Sequence, residues 1–211
     1  MENPQRIGGI AAAVQAVMFV VIMVLIFGVF PGMGLATMAD FGDPAKVLPL
    51  AGTPTMTMAY GIDVVMSLLV VLVALGVRDR LMGGAPATTR AAAVAASIAG
   101  ALFLGEGMVN MTALQQLGVM YATDPAGASA AYPGVYLIGT GLFNGAVFAA
   151  GWFLLLAGWA AMKSGQLSRP LAYLLLLGGL LDVLAFKVEV LGLVGLVLGV
   201  VWSVMLAREM M

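Results

Sequence analysis

Seven polar side chains in otherwise apolar surroundings are the residues of this chain best suited to chemistry. Each is ionisable or carries an amide, and they are Asp63, Glu106, Asn110, Asn144, Asp182, Lys187 and Glu189. A carboxylate in an apolar medium can hold a proton, attract a cation or activate water, because the medium does not solvate its charge. The chemistry open to them is therefore proton binding, cation binding or acid–base hydrolysis.

The spacing of these residues from the basic ends of their apolar segments predicts a common depth. Asp63 comes fifteen residues before Arg78, and Glu106 comes sixteen residues after Arg90, which correspond to about 22 Å and about 24 Å of helix. Asn110 lies four residues after Glu106, hence on the same helix face. In a hydrocarbon core about 30 Å thick, the seven residues form an outer polar layer beneath the external face.

Four roles are open to this outer polar layer. In the first it braces the helices, with Lys187 paired to Asp63, Glu106 or Asp182 and the asparagines hydrogen-bonding across helices. In the second it lines an outward-facing pocket for a small apolar or cationic ligand. A proton or ion relay is less favoured, because the inner half of the segments is apolar apart from Gln15. Intramembrane hydrolysis is the fourth, and no spacing selects it.

The composition identifies the surrounding medium. Of 211 residues, 63% are hydrophobic and 9% are charged, whereas soluble domains use about 25% charged residues. Cysteine and histidine are both absent, which removes disulfides, thiolate nucleophiles and the usual zinc and haem ligands. The net charge of −1 provides no field to attract nucleic acid. We expect membrane lipid as a partner, no nucleic acid and no cofactor.

Six apolar segments are long enough to cross a bilayer, which takes about 20 helical residues. They are residues 8–30, 54–77, 89–117, 133–162, 170–186 and 188–207. Thr53-Pro54 and Ser168-Arg169-Pro170 place a capping side chain before a proline, which is typical of a helix start. The first segment exceeds the about 7–15 apolar residues of a cleaved signal. The sequence thus predicts an all-α polytopic membrane protein, a single-domain bundle (1–211) of six transmembrane helices.

The basic residues predict the orientation. Seven of the nine lysines and arginines flank the same ends of the segments, and only Lys46 and Lys187 lie on the other side. Because basic residues are enriched in cytoplasmic loops, both termini are predicted to be cytoplasmic. The two long connections, residues 31–53 and 118–132, would then be external.

The glycines and tryptophans indicate where helices pack closely and where the protein is anchored at the membrane surface. Trp159 and Trp202 lie near the predicted cytoplasmic ends, where indoles commonly sit at the headgroup level. Glycines four residues apart allow helix backbones to approach closely. Three such pairs are present: Gly28 and Gly32, Gly141 and Gly145, and Gly195 and Gly199.

Two cofactor hypotheses are weaker. Thioethers can bind Cu(I), but methionine is also a common core filler, and the sixteen methionines are scattered over the segments, with Met56 near Met58 and Met108 near Met111. Asp182 and Lys187 resemble the aspartate and lysine of a retinal protein. However, Lys187 lies at a helix end, and six spans are predicted rather than seven.

Two stretches carry a resemblance to a known family. They are Arg6-Ile7-Gly8-Gly9 and residues 151–171, which run from Gly151-Trp152 through Lys163-Ser164 to Pro170-Leu171. In these the chain resembles the bacterial membrane family named domain of unknown function 4386 (DUF4386). Many members carry a histidine and a tyrosine ahead of the fourth span, and this chain has no histidine. The resemblance implies a small multi-span protein of the bacterial cytoplasmic (inner) membrane and brings no catalytic residues.

Two classes of function follow. In the first the protein is a non-catalytic structural or accessory membrane component, in contact with other membrane subunits or with further copies of itself. In the alternative it binds or transports a small molecule through the outward-facing polar pocket. An enzyme ranks third, because no catalytic motif is present.

Overall fold

The computed structural model of this chain describes residues 3–185 and 189–211, and all of their side chains except those of residues 189 and 190. Regular structure in this part of the chain is entirely helical, so the predicted all-α class is confirmed. The principal helices are α1 (Pro4–Gly32), α2 (Met38–Phe41), α3 (Pro44–Val47), α4 (Pro54–Leu81), α5 (Pro86–Tyr121), α6 (Pro125–Ser164), α7 (Arg169–Ala185) and α8 (Glu189–Met210). Two of them contain a π-helical turn, at Leu25–Val29 in α1 and at Asn110–Leu114 in α5.

Five helices are long and apolar enough to cross a membrane: α1, α4, α5, α6 and the part Leu191–Met210 of α8. Their length and apolar composition are those of a membrane protein. α7 has 17 residues and ends where the described chain is interrupted. The count of six spans therefore stays a prediction.

The two predicted helix starts are both present, but only one carries the predicted cap. The hydroxyl of Thr53 accepts the backbone N–H of Met56 at 3.4 Å, before α4. At the start of α7, the hydroxyl and the backbone N–H of Ser168 both donate to the carboxylate of Glu209. The predicted capping role of Ser168 is therefore wrong, and its side chain links two helices instead.

The prediction of a long connection over residues 118–132 is wrong. α5 continues to Tyr121 and α6 begins at Pro125, so only residues 122–124 connect them. The carboxylate of Asp124 accepts the backbone N–H of Gly127 at 2.9 Å. Asp124 thus caps α6, with Pro125 in the first turn. The alanines that follow are good helix formers, although their hydropathy is too low to mark a span.

The chain forms two compact units, and glycine allows close helix packing in the first, which comprises residues 1–20, 66–102 and 144–211. A methyl group placed on Gly8 of α1 would lie 2.7 Å from Cα of Gly76 in α4, and one on Gly151 of α6 would lie 2.9 Å from the carbonyl oxygen of Gly179 in α7. Distances this short mean that helix backbones touch. The GxxxG pattern did not indicate these two crossings. Of the three predicted pairs, Gly195 and Gly199 do lie at helix contacts, where added methyl groups would be 2.7 Å from Oδ1 of Asp182 and 2.9 Å from Cε2 of Phe19. A methyl group on Gly28, Gly32 or Gly141 would have no neighbour within 4 Å.

Aromatic packing joins α1 to α8 in the same unit. Phe19 meets Trp202 edge to face, with ring centroids 6.3 Å apart, and Trp202 is only 4% exposed. The prediction that Trp202 anchors at the headgroup level is therefore wrong, because its indole fills the interior. Trp159 is 51% exposed, and Lys163 lies over its ring with Nζ 5.7 Å from the centroid.

The second unit comprises residues 21–65 and 103–143 and includes the connection between α1 and α4. This connection carries its own small core, in which Leu35, Val47 and Leu48 are buried. The hydroxyl of Tyr132, on α6, donates to the carbonyl of Phe41. The connection is therefore tied to a long helix by a hydrogen bond from a buried phenol.

An ion pair closes the turn between α2 and α3. The ammonium of Lys46 donates to the carboxylate of Asp40, which also accepts from the backbone N–H and the hydroxyl of Thr37. The bond from Lys46, followed by those from Thr37, lowers the pKa of Asp40 to about 2, and the Asp40 carboxylate raises the pKa of Lys46. Both groups lie outside the five apolar helices, with Lys46 exposed and Asp40 partly buried.

Candidate functional site

The candidate site lies where α4 and α5 cross in the second unit. A methyl group placed on Gly107 of α5 would lie 3.0 Å from the carbonyl oxygen of Tyr60 and 2.8 Å from Cγ2 of Val64, both on α4. The missing side chain lets the two backbones approach. Glu106, the residue before Gly107, is thereby brought beside α4.

Asp63, Glu106 and Asn110 come together at this crossing and are called here the carboxyl cluster. The amide nitrogen of Asn110 donates to Oε1 of Glu106, one turn earlier on α5. The carboxyl groups of Asp63 and Glu106 are close enough to interact electrostatically. Three of the seven residues selected from the sequence therefore form one site, and the face shared by Glu106 and Asn110 is confirmed.

The two neighbouring carboxyl groups favour a proton or a cation nearby. Two ionised carboxylates repel each other, and a proton on one or a positive charge beside them relieves that repulsion. Glu106 is 6% exposed, and its Oε2 has no donor among the described residues. The cluster thus holds a buried acceptor available for one positively charged partner.

Tyr60 belongs to the surroundings of the cluster and was not selected from the sequence. Its hydroxyl is close enough to Asp63, Glu106 and Tyr132 to interact electrostatically with each of them. Tyr60 precedes Asp63 by three residues and so shares its helix face. That spacing was the available signal, but tyrosine is too common in apolar helices for the signal to stand out.

The π-helical turn of α5 begins within the cluster, at Asn110. Such turns insert an extra residue into a helix and frequently occur at functional sites. On the other side of Asn110 lies α6, where a methyl group on Gly139 would be 3.1 Å from Oδ1 of Asn110. Asn110 is therefore held between Glu106 and the backbone of a third helix.

The remaining four selected residues lie elsewhere or outside the described chain. Asn144 is exposed on α6, in the first unit. Asp182 lies in the same unit, facing α8, where a methyl group on Gly195 would be 2.7 Å from its Oδ1. Lys187 and the side chain of Glu189 lie outside the described residues. The predicted pairing of Lys187 with a carboxylate stays a prediction.

Two surface grooves among the described residues do not include the carboxyl cluster. One, of about 350 Å³, lies between α1 and α8 in the first unit. The other, of about 570 Å³, lies on α5 and is lined by Met111, Thr112, Gln115, Gln116 and Val119. Both are open surface depressions, so the geometry does not place the carboxyl cluster at the end of either groove.

Comparison with known proteins places the chain in no established group. No family model, curated protein sequence or solved structure matches it significantly. The resemblance to DUF4386 therefore stays a prediction.

The described residues contain no group of three or more histidine, cysteine, aspartate or glutamate side chains that could together hold a metal ion. Met56 is fully buried whereas Met58 is 51% exposed, so these two thioethers point in different directions. The geometry of this pair does not favour the Cu(I) hypothesis.

Proposed function

We propose that this protein is an integral component of a bacterial cytoplasmic membrane, with six spans and both termini in the cytoplasm. Five helices already have the required length and composition, and α7 would supply the sixth. The orientation is supported by arginines or lysines at matching helix ends: Arg6 at the start of α1, Arg78 and Arg80 at the end of α4, Lys163 at the end of α6 and Arg208 at the end of α8. The bacterial source is inferred from the resemblance to DUF4386.

A protease-accessibility experiment tests this orientation. A cleavable tag on either terminus should resist protease added to intact cells and be removed after the membrane is opened. A tag introduced at Gly52, an exposed residue in the connection before α4, should be cleaved in intact cells. The opposite pattern would reverse the proposed topology.

We propose further that its role is non-catalytic, as a structural or accessory membrane component. The observation that supports this proposal is the buried, hydrogen-bonded position of Glu106: it is 6% exposed, accepts from Asn110 and lies beside Asp63 of the neighbouring helix. A polar group that is buried and hydrogen-bonded holds its helices in one arrangement.

Recovery of intact complexes tests the accessory role. Solubilisation in a mild detergent should yield the tagged protein with another membrane subunit, or with further copies of itself, at a fixed molar ratio. An unrelated polytopic protein with the same tag provides the control. Purification as a lone monomer from native membranes, at its natural abundance, would contradict the proposal.

Binding of a small cation is the second candidate function, and Glu106 is the reason for it. Its Oε2 is buried and has no donor among the described residues, and Asp63 adds a second carboxyl group beside it. A bound cation stabilises the folded state. Addition of Na⁺ or tetramethylammonium should therefore raise the Tm of the wild-type protein and not that of Glu106→Gln. Asp182→Asn, which changes a carboxylate of the first unit, is the matched control and should respond as the wild type does.

A further inference from the structure

The groove between α1 and α8 has the dimensions of one membrane leaflet. It is lined on α1 by Ala13, Ala16, Val17 and Val20, and on α8 by Val200, Val204, Ala207, Arg208 and Met211. From Val200 to Arg208 the axial rise is about 12 Å, close to the about 15 Å that half of a hydrocarbon core provides. A transmembrane helix of another subunit spans the whole core of about 30 Å, more than twice the length of this groove.

Two arginines lie at the same end of this groove. Gly8 and Gly9 of α1 pack against Met210 of α8, so the beginning of α1 adjoins the end of α8. Arg208 lines the groove directly. Arg6 precedes the lining residue Ala13 by seven residues, or two helical turns, and so lies on the same stripe of α1. Both arginines are exposed.

Neither arginine is neutralised within the described chain. No ion pair or hydrogen bond from Arg6 or Arg208 to a carboxylate is present among residues 3–185 and 189–211. Two described carboxylates near these helix ends bind other groups: Asp79 accepts from Gln5 at 3.0 Å, and Glu209 accepts from Ser168. Among the described residues, two positive charges thus lie unpaired at one end of an apolar groove.

We propose that this groove binds an anionic phospholipid, with one acyl chain along the valines and alanines and the phosphate between Arg208 and Arg6. Apolar groups line the length of the groove, and cationic groups occur only at its end, which matches the division of a lipid into chain and headgroup. Basic pockets between transmembrane helices are known to recognise such headgroups. The charge at the mouth selects an anionic lipid over a zwitterionic one.

Native mass spectrometry of the delipidated protein tests this proposal. Phosphatidylglycerol and phosphatidylcholine with identical acyl chains are the two probes. The wild type should bind phosphatidylglycerol more tightly, and Arg208→Gln should weaken that binding about fivefold, the contribution of one basic residue at an anionic surface. Adding Arg6→Gln to Arg208→Gln should weaken phosphatidylglycerol binding by a further, similar factor. Arg90→Gln, an exposed arginine outside the groove, should bind as the wild type does.

Filling the groove provides a second, independent measurement. Val204 lines the groove and is 44% exposed, whereas Val201 is 42% exposed and lies outside its lining. The Val204→Trp variant should therefore bind neither phosphatidylglycerol nor phosphatidylcholine, whereas the Val201→Trp variant should bind both as the wild type does. Equal affinity for the two lipids, or an Arg90→Gln effect as large as that of Arg208→Gln, would overturn the proposal. So would a dimer of the chain that Val204→Trp dissociates, because the groove would then hold a second copy.

Discussion

Gly107 packs directly against the backbone of Tyr60, so that a methyl group on Gly107 would lie 3.0 Å from the Tyr60 carbonyl oxygen. This contact sets the separation of α4 and α5 and places Glu106 within reach of Asp63. The geometry of the carboxyl cluster therefore depends on the absence of a side chain at one position.

Gly107→Ala should destabilise the protein, because the new methyl group would force apart two helices that carry the cluster. Overpacking of this kind costs roughly 1–3 kcal/mol. Gly141→Ala is the matched control, since a methyl group there has no neighbour within 4 Å, and it should be neutral or slightly stabilising. Thermal unfolding in one detergent measures both, and equal Tm values for the two variants would contradict the packing argument.

Glu106→Ala should destabilise the protein more than Glu106→Gln. The alanine leaves the part-buried amide of Asn110 without its acceptor, which costs up to about 1–3 kcal/mol, the upper end applying to fully buried groups. The glutamine keeps an oxygen for Asn110 and supplies N–H groups that can donate to Asp63. Denaturant unfolding of the two variants, compared with wild type, measures the difference. A glutamine variant as unstable as the alanine variant would show that the charge of Glu106 itself is needed.

Lys46→Met should raise the pKa of Asp40 from about 2 towards its ordinary value of 3.8. Because that pKa is lowered in the folded chain, ionised Asp40 stabilises the fold fully above about 3.8, and the stabilisation is lost as the pH falls through about 2. An NMR titration of the Asp40 carboxyl carbon measures the shift, and Lys46→Arg should preserve the low pKa. An unchanged pKa in Lys46→Met would assign the effect to the hydrogen bonds from Thr37.

Trp202→Ala should lower stability far more than Trp159→Ala. Trp202 is 4% exposed and packs on Phe19, whereas Trp159 is 51% exposed. Truncating a buried aromatic side chain costs about 3–5 kcal/mol. Thermal unfolding in detergent compares the two, and similar losses would mean that the exposed indole also carries packing energy.

The sequence predicts the carboxyl cluster better than it predicts the helix crossings. Glu106 and Asn110 were paired by their spacing on one helix, a purely local relationship. The crossings at Gly107 and at Gly151 with Gly179 depend on which residue the neighbouring helix presents, and a pattern within one helix does not contain that information. The prediction for Trp202 was wrong for the same reason. Its position near a helix end fixes its depth and not the direction of its side chain.

The start of α6 was predicted wrongly for a different reason, because hydropathy was used to locate it. Residues 122–132 include aspartate, proline, serine and glycine, and their hydropathy alone indicated a connection. Helix formation there depends on the cap at Asp124 and on alanines, which favour a helix without being strongly apolar. Capping and helix propensity, rather than hydropathy, locate this boundary.

The unequal burial of the three tryptophans gives the chain a built-in optical probe of its surroundings. Trp152 and Trp159 are 45% and 51% exposed, whereas Trp202 is 4% exposed. Brominated acyl chains quench indole fluorescence only on contact. In bilayers made from such lipids, the emission of the first two should be lost while that of Trp202 persists, so the residual spectrum would report on the interior of the first unit alone.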